Sequence, residues 1–344
     1  MPSNIKDVAN ALRVSVSTVS RVINNQGRVS AKTREQVLLA MEKMDYHPNE
    51  AARSLREKRS KTIGIIVPDI GNEYFARIIK GADSIAWQED FALLVMNSNS
   101  EVERERRALR ILLDKRVAAI VLASVDEDCP FYQDAVRLGI AVVFIDNLPR
   151  IKASFDSVTV DNRIQAYSMT RCLIDAGHTR IAMINGSLSE TTAEQRMLGY
   201  AQAMDEAGLE KITRNGSFAR EHGRDSMRAL INETNPPTAI FAASNHLAYG
   251  VIDALREANL TIPDNISMVC FDTPDNTGLF LPKLSTVNQP AERIGSTAIN
   301  IIMRRLTGKN EGVNERLYLQ AEVVMGNSVA PPASQIATSQ SPPK

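Results

Sequence analysis

Residues Ile5 to Asn24, IKDVANALRVSVSTVSRVIN, constrain this chain more than any other stretch. Ile5, Val8, Ala9 and Leu12 recur at helical spacing and form one apolar stripe. Val14 anchors a tight turn. Ser15 is placed to cap a second helix, with Thr18 three residues on. Val19, Val22 and Ile23 point back at the first stripe, which leaves Val16, Ser17, Ser20, Arg21 and Asn24 facing outward. Such a face fits a DNA major groove: Arg21 suits a guanine edge, Val16 a thymine methyl, and the hydroxyls reach bases or phosphates. A helical hairpin with a plain solvated face would carry the same residues, so this stretch alone leaves both readings open.

The following residues shift the balance. Ser30 to Met44 reads as a third helix with Ser30 as N-cap, its apolar set Val37, Leu38, Met41 and Met44 closing a small three-helix core. Pro48 ends that helix, and Asn49 is placed to cap a short segment from Glu50 to Glu57. Residues 1–60 hold eleven bases and six acids, whereas the whole chain holds 40 of each. A basic head thus precedes an acidic body, the asymmetry expected of a nucleic-acid-binding head.

The run I-K-D-V-A, then V-S-x-x-T-V-S-R-V-I-N, V-S-x-x-T-R-x-x-V and Y-x-P-N-x-x-A-R-S-L resembles the head of the lactose/galactose repressor family. The resemblance continues to about Met325. It implies major-groove contacts from Val16, Ser17 and Arg21. It also implies phosphate contacts from Lys6, Thr18, Ser20, Asn24, Ser30, Arg34 and Asn49. Residues 49–60 would be a hinge helix and linker, with Ala52, Arg53, Leu55 and Arg56 in the minor groove and Leu55 as an apolar wedge between bases. Arg13 stands where the family often has Gly or Asn, so it is expected to take a left-handed backbone.

After the head at residues 1–48 and this hinge, the body at residues 61–328 is too long for one small domain and suits two lobes. Short apolar runs alternate with amphipathic helical patterns, which argues doubly wound parallel sheets covered by helices. Ala119–Ser124 (AIVLAS) is echoed by Ala239–Ser244 (AIFAAS), which points to duplication. The expected fold is therefore a small all-α helix-turn-helix head on an α/β body of two lobes, like a periplasmic binding protein. The resemblance places the first lobe at about 61–161 and 290–315, and the second at about 162–289 and 316–328. The end, residues 329–344, is rich in Pro, Ser and Gln and reads as a disordered tail.

Two such lobes form a cleft, and ligands bind where strand carboxyl ends meet. Tyr74, Phe75, Ser124, Asp146 and Arg196 are the candidates in the first half, and Phe218, Asn245, Asp272 and Gln289 in the second. Each matches a position where the family lines its effector pocket. Carboxylates and amides suit vicinal hydroxyls, arginine adds a planar fork, and aromatic faces stack on rings. His246 and Cys270 stand where the family commonly has Asp and Gly.

Other chemistries lack support. The three cysteines form no Cys-x-x-Cys, the four histidines show no metal-ligand spacing, and no phosphate-binding loop or nucleophile-elbow motif is present. No catalytic residue, metal or cofactor is expected. With no signal segment or membrane span, the chain reads as cytoplasmic. The expected partners are near-palindromic double-stranded operator DNA, a sugar-like small effector and a second copy of the chain. The competing class, a carbohydrate-binding protein or carbohydrate-modifying enzyme on the same body, has no use for the basic helical head.

Overall fold

The computed structural model describes residues 4–23, 27–46, 60–272, 282–308 and 312–332. Residues 1–60 and 61–344 form two separate units. In the first unit, α1 (Ile5–Ala11) opens on a reciprocal cap: Asn4 Oδ1 accepts from the Lys6 and Asp7 amides, and Asp7 Oδ2 accepts from the Asn4 amide. Ser15 caps α2 (Val16–Ile23), its Oγ accepting from Thr18 N at 3.1 Å, and Ser30 caps α3 (Ala31–Lys43) in the same way. Arg13, in the turn, has φ 54°, as the sequence led us to expect. Val8, Ala9, Val19, Val22 and Val37 form the buried centre. Leu38 departs from expectation. It is 51% exposed, because it lies one step round the helix from Val37 and faces out beside Leu39.

The second unit carries two six-stranded sheets among the described residues. The first sheet contains β1 (Thr62–Val67), β2 (Ala92–Asn97), β3 (Ala119–Leu122), β4 (Ala141–Ile145), β5 (Asp156–Val160) and β11 (Arg316–Leu319), in the order β11-β5-β4-β3-β1-β2. The second contains β6 (Ile181–Asn185), β7 (Ile212–Asn215), β8 (Ala239–Ala242), β9 (Ser267–Phe271), β10 (Ser285–Asn288) and β12 (Glu322–Val324), in the order β12-β10-β9-β8-β6-β7. All pairings are parallel except β10 with β12. The AIVLAS and AIFAAS runs form β3 and β8, which hold the same place in their sheets, so the echo reflects real structural repetition.

Helices α4 (Glu73–Gln88), α5 (Val102–Asp114) and α6 (Phe131–Arg137) belong to the first lobe, joined there by the returning α11 (Ala291–Leu306). Helices α7 (Asn162–Asp175), α8 (Thr191–Glu206), α9 (Arg220–Ile231) and α10 (Asn245–Glu257) belong to the second. The α4–α11 contact is set by two glycines. A Cβ on Gly81 would stand 1.9 Å from the Glu292 carbonyl oxygen, and one on Gly295 would stand 2.0 Å from that of Ile78. The helices touch backbone to backbone, which locks the returning helix into the first lobe.

The chain passes between lobes at residues 160–162, 288–291 and 319–322. The third passage corrects the expected boundary. Arg316–Leu319 pairs with β5 in the first sheet, and only Glu322–Val324 reaches the second. Ion pairs fix this arrangement, with Arg305 clamping Asp156 and Arg304 holding Glu315, just before β11. The tail also begins later than expected. Ala330 is held by the His178 ring at 2.9 Å and by Ser267. Residues 333–344 lie outside the described residues.

Candidate functional site

In the head, Val16, Ser17 and Arg21 share the exposed face of α2, Lys6 is exposed on α1, Ser30 is exposed at the cap of α3, and Arg34 on α3 is half-buried. Thr18 and Ser20 are half-buried. The Thr18 hydroxyl lies 2.9 Å from Ser15 Oγ, so it braces the helix start as well as edging the face. Asn24, Asn49, Ala52, Arg53, Leu55 and Arg56 lie outside the described residues.

In the body, a cleft of about 1140 Å³ lies between the two lobes. Tyr74 and Phe75 enter it from the first turn of α4, packed edge-to-face with centroids 5.1 Å apart. Asn72 caps that helix on the Tyr74 amide. The Tyr74 hydroxyl donates to Gln289 Oε1 at 3.3 Å, and Gln289 Nε2 donates to Asp272 Oδ2 at 2.9 Å. Asp146 and Asp272 follow β4 and β9. Between them in charge terms is Arg196, which is 4% exposed. Its Nε donates to Asn162 Oδ1 at 2.8 Å, its Nη1 donates to the Ala243 carbonyl, and its guanidinium lies 3.8 Å from the Phe271 ring centroid. Phe218 forms a further wall 5.9 Å from the same cation.

Burial dominates the electrostatics. It pushes Asp272 up to about 6 against the pull of Arg196 and raises Asp146 in the same direction. Burial lowers Arg196, which Asp272 and Asp146 counter. Burial, with Asp146 next, raises Tyr74, so it stays a neutral donor.

Two sets of hydrogen bonds cross between the lobes. Asn72 and Asn245 exchange amide hydrogen bonds at 3.3 and 3.0 Å. In the second set, Asn147 Oδ1 accepts from Thr192 N and Oγ1, Asn147 Nδ2 donates to Glu190, and Leu148 N donates to Thr191 Oγ1.

Eight of the nine sequence candidates line the cleft: Tyr74, Phe75, Asp146, Arg196, Phe218, Asn245, Asp272 and Gln289. Ser124 does not. Its hydroxyl turns back into the first lobe and donates to Glu105 Oε1 at 2.7 Å, a buried carboxylate that also accepts from Val125 N. The strand-end rule put Ser124 in the right loop but could not say which way its side chain turned. Sequence reasoning missed Asn72, Asn147, Glu190, Thr192 and Arg220. Asn147 was findable, since it directly follows Asp146. Glu190 stands as the N-cap of α8 and Thr192 lies in its first turn, where no apolar spacing singles them out.

A helix-turn-helix head joined to a two-lobed, periplasmic-binding-protein-like body defines a ligand-responsive DNA-binding regulator. The family model described as "Bacterial regulatory proteins, lacI family" matches residues 4–49, and "Periplasmic binding proteins and sugar binding domain of LacI family" matches residues 60–324. The chain belongs to the LacI family of transcriptional repressors; it is a DNA-binding protein with a ligand-binding domain and not an enzyme. It is 34% identical over 341 residues to the HTH-type transcriptional repressor PurR of Haemophilus influenzae, covering 95% of this chain and 98% of the relative. It is 32% identical over 313 residues to the transcriptional regulator RegA of Clostridium saccharobutylicum, covering 90% and 94%. The Lac repressor dimer bound to operator and the anti-inducer ONPF superposes with a TM-score of 0.82 at 27% identity, covering 96% and 100%. A CelR–cellobiose complex does so with 0.71 at 26% identity, covering 95% and 99%. Among the described residues, no helix is long and apolar enough to cross a membrane.

Proposed function

We propose that this repressor reads a near-palindromic operator as a homodimer and is controlled by a small, sugar-like effector in the interlobe cleft. In this reading α2 enters the major groove with Val16, Ser17 and Arg21, while Lys6, Thr18, Ser20, Ser30 and Arg34 meet phosphates. Asn24 and Asn49 complete the phosphate set, and Ala52, Arg53, Leu55 and Arg56 meet the minor groove with Leu55 as wedge. The operator-bound Lac repressor dimer supports the assembly by likeness.

One observation carries the effector assignment: Asp146 and Asp272, from matching strand ends of the two lobes, converge on Arg196 inside a cleft walled by Tyr74, Phe75 and Phe218. Acceptors from each lobe with a fixed planar cation suit vicinal hydroxyls on a ring. A ligand contacting both carboxylates favours the closed cleft over an open one, which is the differential affinity an allosteric effector needs. A purine-type heterocycle is the second reading, favoured by the PurR relatives and by the Phe218 wall.

The test is a thermal-shift screen of the full chain against neutral sugars, nucleosides and purine bases, with Asp272→Asn run beside it. A stabilising compound lost in the variant, which also changes operator affinity, supports the assignment. A hit that ignores Asp272→Asn removes the cleft as its site. For the assembly, sedimentation showing a monomer at micromolar concentration would overturn the dimer.

A further inference from the structure

The cleft lining carries more acids than bases. Among the described residues its lining holds five acids, Asp69, Asp146, Glu190, Glu221 and Asp272, against Arg196 and Arg220. Both arginines already hold acidic or carbonyl partners. Arg196 is bound to Asn162 and the Ala243 carbonyl, stacked on Phe271 and neutralised by Asp146 and Asp272. Arg220 grips Asp253 with two hydrogen bonds. His246 adds no charge near neutral pH, because burial lowers it.

Glu190 is the unspent group. It stands before α8 on the cleft wall. Its Oε2 accepts from Asn147 Nδ2 at 2.5 Å, and its Oε1 has no partner among the described residues. Burial, then Asp146, push it up to about 7. A carboxylate so placed gains most from a donor supplied by the ligand and is repelled by a phosphate or carboxylate.

We propose that the effector presents an amino group to Glu190 and carries no phosphate or carboxylate. This rests on the cleft being the effector site. Asp146 and Asp272 take the ring hydroxyls, and Glu190 selects the nitrogen.

Calorimetry on the full chain with matched probes tests it: glucosamine against glucose and glucose 6-phosphate, and adenosine against inosine. The amino probe of at least one pair should bind roughly tenfold or more tighter than its partner, the worth of one charge-assisted hydrogen bond. Glu190→Gln keeps an amide oxygen for Asn147 but removes the charge, and should erase that preference while leaving the partner's affinity in place. Asp272→Asn should weaken both members of the pair. An amino preference that survives Glu190→Gln but is lost with Asp272→Asn overturns the role of Glu190 and leaves the cleft reading standing. Binding that survives Asp272→Asn sinks the cleft reading itself. Tighter binding of the phosphorylated or oxo probe, or no Glu190-dependent signal from amino probes at millimolar concentration, overturns the proposal.

Discussion

Asp146 and Asp272 are structural counterparts: each follows the equivalent strand of its lobe, β4 or β9, and each holds a left-handed backbone, with φ of 56° and 58°. L-residues adopt that conformation at a cost, least for Asn and Asp. Both carboxylates line the cleft, where each acts on the Arg196 guanidinium.

Asp272→Asn is expected to weaken effector binding by at least about tenfold, because an amide cannot accept from hydroxyls with both of its atoms. The fold should persist, since Gln289 can still find an oxygen there. Titration calorimetry at neutral pH checks this, and unchanged affinity would remove Asp272 from the site.

Arg196→Ala should do more than abolish the effector response. It leaves the Asn162 and Ala243 acceptors unpaired and uncovers two buried carboxylates, so unfolding stability should fall by about 3 kcal/mol. Asn162 begins the α7 passage between lobes, so the loss should also loosen that crossing. Urea unfolding of the variant with a wild-type midpoint would show that Arg196 serves only the ligand.

Glu105 gives a pH signature apart from the cleft. Burial pushes it up to about 7, against the pull of hydrogen bonds from Val125 and Ser124. Its unfolded counterpart releases its proton near 4.5. Between those values the folded chain holds the extra proton, so this group's contribution to stability falls as pH rises and levels off above about 7. Glu105→Gln can donate to Ser124 Oγ and accept from Val125 N while Ser124 donates to the Asp126 carbonyl. The variant should lose that slope and gain on the order of 2–3 kcal/mol over wild type between acid and neutral pH. Parallel pH profiles of the melting temperature for the variant and wild type from about pH 5 to about 8 would contradict this.

Gly81→Ala should destabilise the body by about 3 kcal/mol through overpacking, since the new methyl meets the Glu292 backbone, which cannot rotate away. Denaturant unfolding followed by circular dichroism measures it. A wild-type midpoint would mean that α4 and α11 can slide apart freely.

Arg21→Ala should cost operator binding about 1–3 kcal/mol and relax one base position, whereas Lys6→Ala should weaken all sequences alike. A selected-site experiment separates the two. An unaltered sequence preference for Arg21→Ala would remove α2 from the major groove.

The sequence by itself determined the head, since caps such as Asn4, Ser15 and Ser30 and the period of Val8, Val19 and Val22 are local signals that decide local structure. It also determined the strand–helix alternation, and with it the strand ends at which Asp146 and Asp272 stand. Only the tertiary structure decided where β11 belongs, because an edge strand such as Arg316–Leu319 carries no local mark of which sheet it will join; the Arg305–Asp156 clamp settles that through contacts far apart in the chain. The same limit explains Ser124 and Glu190. Whether a polar side chain after a strand faces the cleft, bridges the lobes or turns inward depends on neighbours supplied by other segments, and a linear pattern records composition and period but not which distant group will be the partner.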